Sequence, residues 1–420
     1  MSETPALPLL PQKDRDILRE TARTQLEWTH SPQNQALLRE WPRHNACLPG
    51  RPLLHLEMWT FEAEVLTPLL RCETEAAREV ETRLLRQYLN LSLLGDDHPV
   101  ADYYPVYWRA GMVPFNIEVK RHFAQDSSGG SLGHAFETPI EDLDGDWHKL
   151  KKSRFGADRA ATLAYRDWVQ DILGDILPVR LDMNALYAVP TQDIVHLMGM
   201  ENMMVAMLDS PRRFAEMLAR YAEDTLEYYR FLEREALLLP TTGCQLLPQG
   251  SWCFTDELPA APQTTREVWG FMDSQESVSI SPQMFAELVF PCYQTIAAQY
   301  GLLSYGCCEP VDKVWGPCLS TLPNLRKVSI SPWCDEAYMG EQLRGRKIVY
   351  LRKPSPNFLG LGGPLDEDAL RAHIQKTLGC AAGCTLEIAQ RDVYTVGGNV
   401  HNARRYVQVL REEIENHWKG

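Results

Sequence analysis

The residues best suited to chemistry lie in one run, Ser304-Tyr305-Gly306-Cys307-Cys308-Glu309-Pro310, with Asp273-Ser274-Gln275-Glu276 before it and Trp333-Cys334-Asp335 after it. Adjacent cysteines followed by a glutamate, beside a second acidic loop, combine soft thiolate and hard oxygen donors of the kind that hold zinc. The metal set expected from this pattern is Cys307 and Cys308, or one of the two, with a carboxylate from Glu276 or Glu309. Free cysteine also behaves as a small buried hydrophobe, which is the competing reading for Cys308. Asp273 and Glu309 are the candidate acidic groups of the reaction, and Tyr305 is a candidate acid or hydrogen-bond donor. Arg352 is a candidate anion anchor, with ion pairs of Arg352 and Lys353 to Asp273 or Asp335 at the barrel rim as the alternative.

These residues stand where strands end. Val268-Trp269-Gly270-Phe271-Met272 runs into Asp273, Gly301-Leu302-Leu303 runs into Tyr305-Gly306-Cys307, and Lys327-Val328-Ser329-Ile330 runs into Ser331-Pro332-Trp333. Between the first two, a segment opening at Ser281-Pro282 places Phe285, Leu288, Val289 and Tyr293 at helical spacing. Strand, polar loop and helix in repetition predict parallel strands joined by crossovers. In a closed barrel of such units, the loops after the strands converge on one face. The fold class expected is therefore α/β, a (β/α)8 barrel over residues 51–420 preceded by a helical extension over 1–50. The two helices of that extension, from Gln12 to Trp28 and from Ser31 toward Trp41, are expected outside the barrel or at the interface of a homodimer.

Phe271-Met272-Asp273-Ser274, Ser281-Pro282-Gln283-Met284-Phe285 with Pro291, and the strand ending at Cys307 resemble the uroporphyrinogen decarboxylase superfamily, including its corrinoid-dependent methyltransferase branch. Pro178-Val179-Arg180-Leu181-Asp182, Tyr187-Ala188-Val189-Pro190-Thr191 and Leu208-Asp209-Ser210-Pro211 extend the resemblance over about the last two thirds of the chain. In that superfamily a late strand often ends in His-x-Cys-Gly. Its methylcobamide:coenzyme M methyltransferases bind zinc with that His, that Cys and a later Cys. Here Cys307 holds the Cys position, Tyr305 stands for His, and Cys308 stands for Gly. The resemblance implies transfer of a methyl group from a small methylated substrate, such as an aryl methyl ether, to the cobalt of a corrinoid protein. Departure of the oxygen would be assisted by zinc or by a general acid. A flat substrate wants an aromatic wall, for which Trp108, Tyr187, Trp252 and Trp333, together with Tyr107, are the candidates. The alternative enzyme is a metal-independent decarboxylase like uroporphyrinogen decarboxylase, which needs cations to hold carboxylates. A non-catalytic binding barrel would place no demand on Cys307 and Cys308.

The remaining features bound these readings. With 420 residues and 45% hydrophobic content, the chain can bury one large barrel core. A net charge of −14 disfavours nucleic acid or an anionic membrane as partner. Eleven cysteines without regular spacing do not describe a disulfide framework, and the start lacks a signal-peptide pattern, so a cytoplasmic protein is expected. No run approaches the ~20 apolar residues that span a bilayer. Ser127-Ser128-Gly129-Gly130-Ser131 reads as a flexible loop, and the polar insertion around it, through the acidic run 141–147, as a lid. Thr242 to Pro259 reads as a substrate-contacting loop, and Cys380 and Cys384 lie before a strand, away from any ligand set.

Overall fold

In a computed structural model that describes residues 7–125 and 131–419, seven strands form one parallel sheet. They are Leu53–Leu56 (β1), Leu186–Ala188 (β2), Trp269–Met272 (β3), Leu302–Tyr305 (β4), Leu325–Ile330 (β5), Val349–Arg352 (β6) and Thr385–Gln390 (β7). The order is β1-β7-β6-β5-β4-β3-β2, with every pair parallel. Strands adjacent in this sheet follow one another in the chain, and the last lies against the first, Leu53 opposite Glu387 and His55 opposite Ala389. That is the order around a barrel, and right-handed crossovers then place the connecting helices on its outside. The α/β barrel-like fold expected from the strand rhythm is the one present. β3, β4, β5 and β6 are buried at every residue, as parallel strands covered on both faces must be.

Among the described residues the place of an eighth strand, between β1 and β2, carries no ladder. The segments read as strands near Tyr104 and Asp182 instead pair with each other, Tyr104–Tyr107 beside Val179–Asp182. Around them the helices Gln12–Thr29, Glu75–Leu89 and Arg159–Leu173 build a second, smaller core containing Leu18, Leu84, Val106 and Ile172. The first helix of the amino-terminal extension thus belongs to this side core. The second helix, Pro32–Asn45, belongs to the main one: its Trp41 is wholly buried, and the Asn45 amide donates to the carbonyls of Trp252 and Phe254. Packing therefore continues across residue 50.

A short hairpin, Leu246–Leu247 with Ser251–Trp252, reaches from the entry of β2 to β1. The Ala185 N–H donates to Leu246 O at 3.2 Å, and the Trp252 ring lies 4.6 Å from His55. Its turn, Gln249 and Gly250, has φ values of 78° and 82°. A Cβ on Gly250 would sit 3.2 Å from Ala389 Cβ of β7, so only glycine fits that close approach. Below the turn, Lys327 of β5 donates to Ser251 Oγ at 2.6 Å and to Glu387 of β7 at 2.7 Å, a salt bridge with no solvent exposure.

The insertion expected as a lid forms two antiparallel pairs, Ala110–Val113 with Arg154–Ala157 and Arg121–Gln125 with Ser131–Phe136. Residues 127–130 of the expected flexible loop lie outside the described residues. The long helix Pro211–Arg234 buries Phe214, Met217, Leu218 and Tyr221 on one face, as their spacing requires. No helix among the described residues is long and apolar enough to cross a membrane.

Candidate active site

Asp273 follows β3, Cys307 to Glu309 follow β4, Lys353 follows β6, Arg391 and Asp392 follow β7, and Glu57 follows β1. Parallel strands bring all of these to one end of the barrel. Glu309 ties two of the loops together, its carboxylate accepting the Ser274 N–H at 3.0 Å and the Cys307 N–H at 2.8 Å. The turn between them needs Gly306: its φ is 103°, and a Cβ there would meet Ser329 Cβ at 3.0 Å.

The two thiols face each other, Cys307 Sγ to Cys308 Sγ at 3.6 Å, with Asp392 Oδ2 3.8 Å from Cys308 Sγ. Two buried cations flank them. Lys353 Nζ donates to the Cys307 carbonyl at 3.0 Å and to Gln249 Oε1 at 2.6 Å. Arg391 pairs with Glu57 at 2.7 Å, donates to Gln249 Oε1, and brings a guanidinium nitrogen within 4.0 Å of Cys307 Sγ. The hairpin turn thus presents one amide oxygen to both cations from inside the barrel.

Burial decides the protonation here. Asp273 is 1% exposed, its Oδ1 has no hydrogen-bond partner among the described residues, and desolvation followed by the charges of Glu309, Cys307 and Glu276 drives its carboxyl far above the usual carboxylate range. Glu309 is also raised by burial, against the backbone N–H groups it accepts and Lys353. Cys308 is lowered, first by the hydrogen bond from Cys307 and then by Lys353 and Arg391, acting against burial and Asp392, while Cys307 is raised by giving that bond and by burial. Lys353 is lowered by desolvation. Arg391 stays charged, since Glu57 and Asp392 outweigh its burial. The arrangement offers a neutral carboxylic acid, a pair of thiols of which Cys308 is the more readily ionised, and two basic side chains.

Not every residue singled out in the sequence is brought here. Glu276 accepts the Thr191 hydroxyl at 2.9 Å and, with Cys308 and Trp333, lines an open cavity of about 590 Å³. Trp333 is 74% exposed at its rim. Tyr187 and Trp108, with Tyr107, line a neighbouring cavity of about 400 Å³, and Tyr187 stacks on Phe271 of β3 at 5.4 Å. Burial first, then the charges of Asp273 and Cys307, shift the Tyr187 hydroxyl upward. Tyr305 is wholly buried with its hydroxyl 2.6 Å from Ser274 Oγ, so it braces the loop that carries Asp273. Arg352 faces outward, donating to the carbonyls of Ile330 and Ser331 and pairing with Glu336 at 2.9 Å. The strand alternation that turns Arg352 out turns its neighbour Lys353 in. Asp335 caps the helix Glu336–Leu343 through the Tyr338 N–H. Trp252 is buried toward the other end, 4.9 Å from the Trp41 ring.

Sequence reasoning gave Lys353 only a rim role and gave none to Gln249 or Arg391. Arg391-Asp392 could have been found by the rule that found Cys307, since both follow a barrel strand directly. Gln249 carries no such signal, because a turn that folds back into a barrel looks in sequence like any Gly-containing loop.

The donors do not fit a zinc ion in the way the resemblance implies. A closed or catalytic zinc site takes three or four protein ligands, and among the described residues no group of three or more His, Cys, Asp or Glu side chains converges to hold a metal. Glu309 is spent on two backbone N–H groups, Glu276 is engaged with Thr191, and Lys353 and Arg391 already supply positive charge beside the sulfurs.

No protein-family model matches the chain, and no curated protein matches it in sequence. Among solved structures it is similar to a methyltransferase from Methanosarcina mazei, with a TM-score of 0.49 and 13% identity, over 90% of this chain and 98% of that one.

Proposed function

We propose that the chain is a methyltransferase of the kind its motifs resemble, within the uroporphyrinogen decarboxylase superfamily. It takes a methyl group from a small methylated substrate, such as an aryl methyl ether, and passes it to a corrinoid carried by a separate protein. The observation that carries this reading is Asp273, a buried carboxylic acid held neutral at the end of a barrel strand. An ether oxygen is a poor leaving group unless it is protonated as the bond to carbon breaks, and a neutral acid with an unpartnered oxygen can give that proton. Lys353, which acts to lower Asp273, stabilises the carboxylate that remains. Tyr187, Trp108 and Tyr107 offer the flat wall for the ring. The partner's cobalt, when present, supplies the nucleophile that receives the methyl group. All eleven cysteines are free, which fits the reducing cytoplasm.

The test is methylation of a reduced corrinoid protein, followed by its absorbance, with a panel of methoxylated aromatic compounds. Asp273→Asn lowers the rate by about 10²–10⁴-fold while the melting temperature holds. Full activity in that variant overturns the role of Asp273, and the absence of methyl transfer by the unaltered protein across the panel overturns the reading.

A second reading is favoured by Lys353 and Arg391. Two cations buried beside a neutral acid could hold a substrate carboxylate and protonate the carbon left after loss of carbon dioxide, as a decarboxylase requires. Carbon dioxide release from porphyrinogens or small aromatic acids by the same preparation decides for it.

A further inference from the structure

At the opposite end of the barrel, around the starts of β1 and β7 and the approach to β6, lies a cavity of about 530 Å³. Four cationic side chains, Arg43, Arg51, Arg346 and Lys347, line it against one carboxylate, Glu40. In a chain of net charge −14 this excess runs against the composition. Two of the four are already matched: Arg51 pairs with Glu40 at 2.6 Å and Asp97 at 2.8 Å, and Lys347 pairs with Glu257 at 2.9 Å. Arg43 reaches only the Pro49 carbonyl, at 3.5 Å, and Arg346 lies over the Trp315 ring at 5.9 Å. Neither has an acidic partner among the described residues.

Two arginines without an acidic partner, both lining one cavity, suit a dianion, for which Arg346 would turn from the Trp315 ring, and a phosphate monoester carries about −1.5 to −2 at pH 7. The planar fork of each arginine fits phosphate oxygens two at a time. The remaining wall is apolar, with Leu48 and the Trp418 indole, which the Gly50 carbonyl fixes at 3.1 Å. The floor is His44, whose side chain is 5% exposed and whose charged form burial disfavours, so it adds no fixed charge. The volume falls within the roughly 300–1,000 Å³ of small-molecule sites and leaves room beyond a bare phosphate. We propose that this cavity binds a small phosphorylated organic molecule, its phosphate on Arg43 and Arg346 and its organic part against Leu48 and Trp418.

Titration calorimetry on the full chain, with inorganic phosphate, adenosine 5′-monophosphate, glucose 6-phosphate and adenosine, tests it. At least one phosphate ester is expected to bind more tightly than inorganic phosphate, adenosine is expected not to bind, and Arg43→Ala/Arg346→Ala to weaken the ester by about 10- to 100-fold. Both arginines are exposed, so the variant keeps its fold, and Arg43→Gln/Arg346→Gln serves as the check on that. Preference for the nucleotide or for the sugar phosphate identifies the organic part, and either result supports the assignment. Inorganic phosphate binding as tightly as the esters, binding unchanged in the double variant, or no binding of any ester at millimolar concentration overturns it.

Discussion

Replacing Lys327 with Met tests how the barrel interior is held. Lys327 Nζ is 2.7 Å from Glu387 Oε2, both side chains have 0% exposure, and among the described residues the other ion-pair partner of that carboxylate is His44 at 3.2 Å, whose charged form burial disfavours. Two routes give the size of the effect. Removing one partner of a buried pair leaves an uncompensated charge and costs about 3–5 kcal/mol. Separately, Glu387 is held at about 2 against the usual 4.5 of a glutamate, Lys327 being the leading cause opposing its desolvation, which corresponds to about 3 kcal/mol. The sign follows from the direction. A carboxyl lowered on folding contributes stability that is complete above pH 4.5 and is lost as pH falls toward 2. In the variant the same carboxyl, buried without its cation, is raised on folding, so acid relieves the variant where it weakens the parent. Urea unfolding should therefore show a gap of about 3–5 kcal/mol at pH 7 that narrows as pH drops below 4.5. Burial depresses Lys327 in spite of Glu387, so the pair as a whole contributes less than this gap, and Lys327→Met/Glu387→Leu should recover most of it. A gap under about 1 kcal/mol at pH 7, or one unchanged between pH 6 and pH 3, would refute the reasoning.

Gln249→Gly relieves a left-handed backbone worth about 1–2 kcal/mol but removes the oxygen that Lys353 and Arg391 share, at about 1.5–3 kcal/mol for each charged bond. Urea unfolding should show a net loss of about 2 kcal/mol, and a more stable variant would mean that the two cations do not hold the turn. Tyr305→Phe deletes only the brace on Ser274, so it should cost about 1 kcal/mol of stability and leave turnover within a few-fold, whereas a hundredfold loss of turnover would place Tyr305 at the reacting atoms.

The strand ends were legible because two rules act together in a parallel barrel: apolar runs become strands, and the residues just past them converge on one face. Asp273, Cys307, Cys308 and Glu309 came from those rules alone. Arg352 was misjudged by one residue, since its strand was read without fixing which alternate positions face inward, and that parity is set by packing against the helix Glu336–Leu343. The side core was not legible either. Tyr104–Tyr107 and Val179–Asp182 have the composition of barrel strands, and their pairing outside the sheet depends on contacts with the helices around Leu18 and Ile172, far away in sequence. Trp252 looked like a wall for substrate because aromatic residues in a loop before a strand are ambiguous between pocket and plug, and the hairpin makes it a plug.

The acid at Asp273 follows from how the site's charges are committed. Glu309 is satisfied by two backbone N–H groups, and Arg391 is matched by Glu57 with Asp392 close by. Lys353 is shared between Gln249 and the Cys307 carbonyl. Among the described residues no donor is left for Asp273 Oδ1, and a carboxylate buried without one takes up a proton instead. Methyl transfer and decarboxylation would both use that proton, and they differ in where the substrate's own charge lies. A methyl ether arrives neutral and develops charge only at the oxygen facing the acid, so it asks of Lys353 only that the departing proton's carboxylate be stabilised. A carboxylate substrate arrives charged and must displace Gln249 from the two cations before it can bind. The Gln249 amide oxygen occupies that position, so entry of a carboxylate would have to displace it from both cations, whereas a neutral ether can bind with the amide in place. On that difference the site as it stands favours methyl transfer.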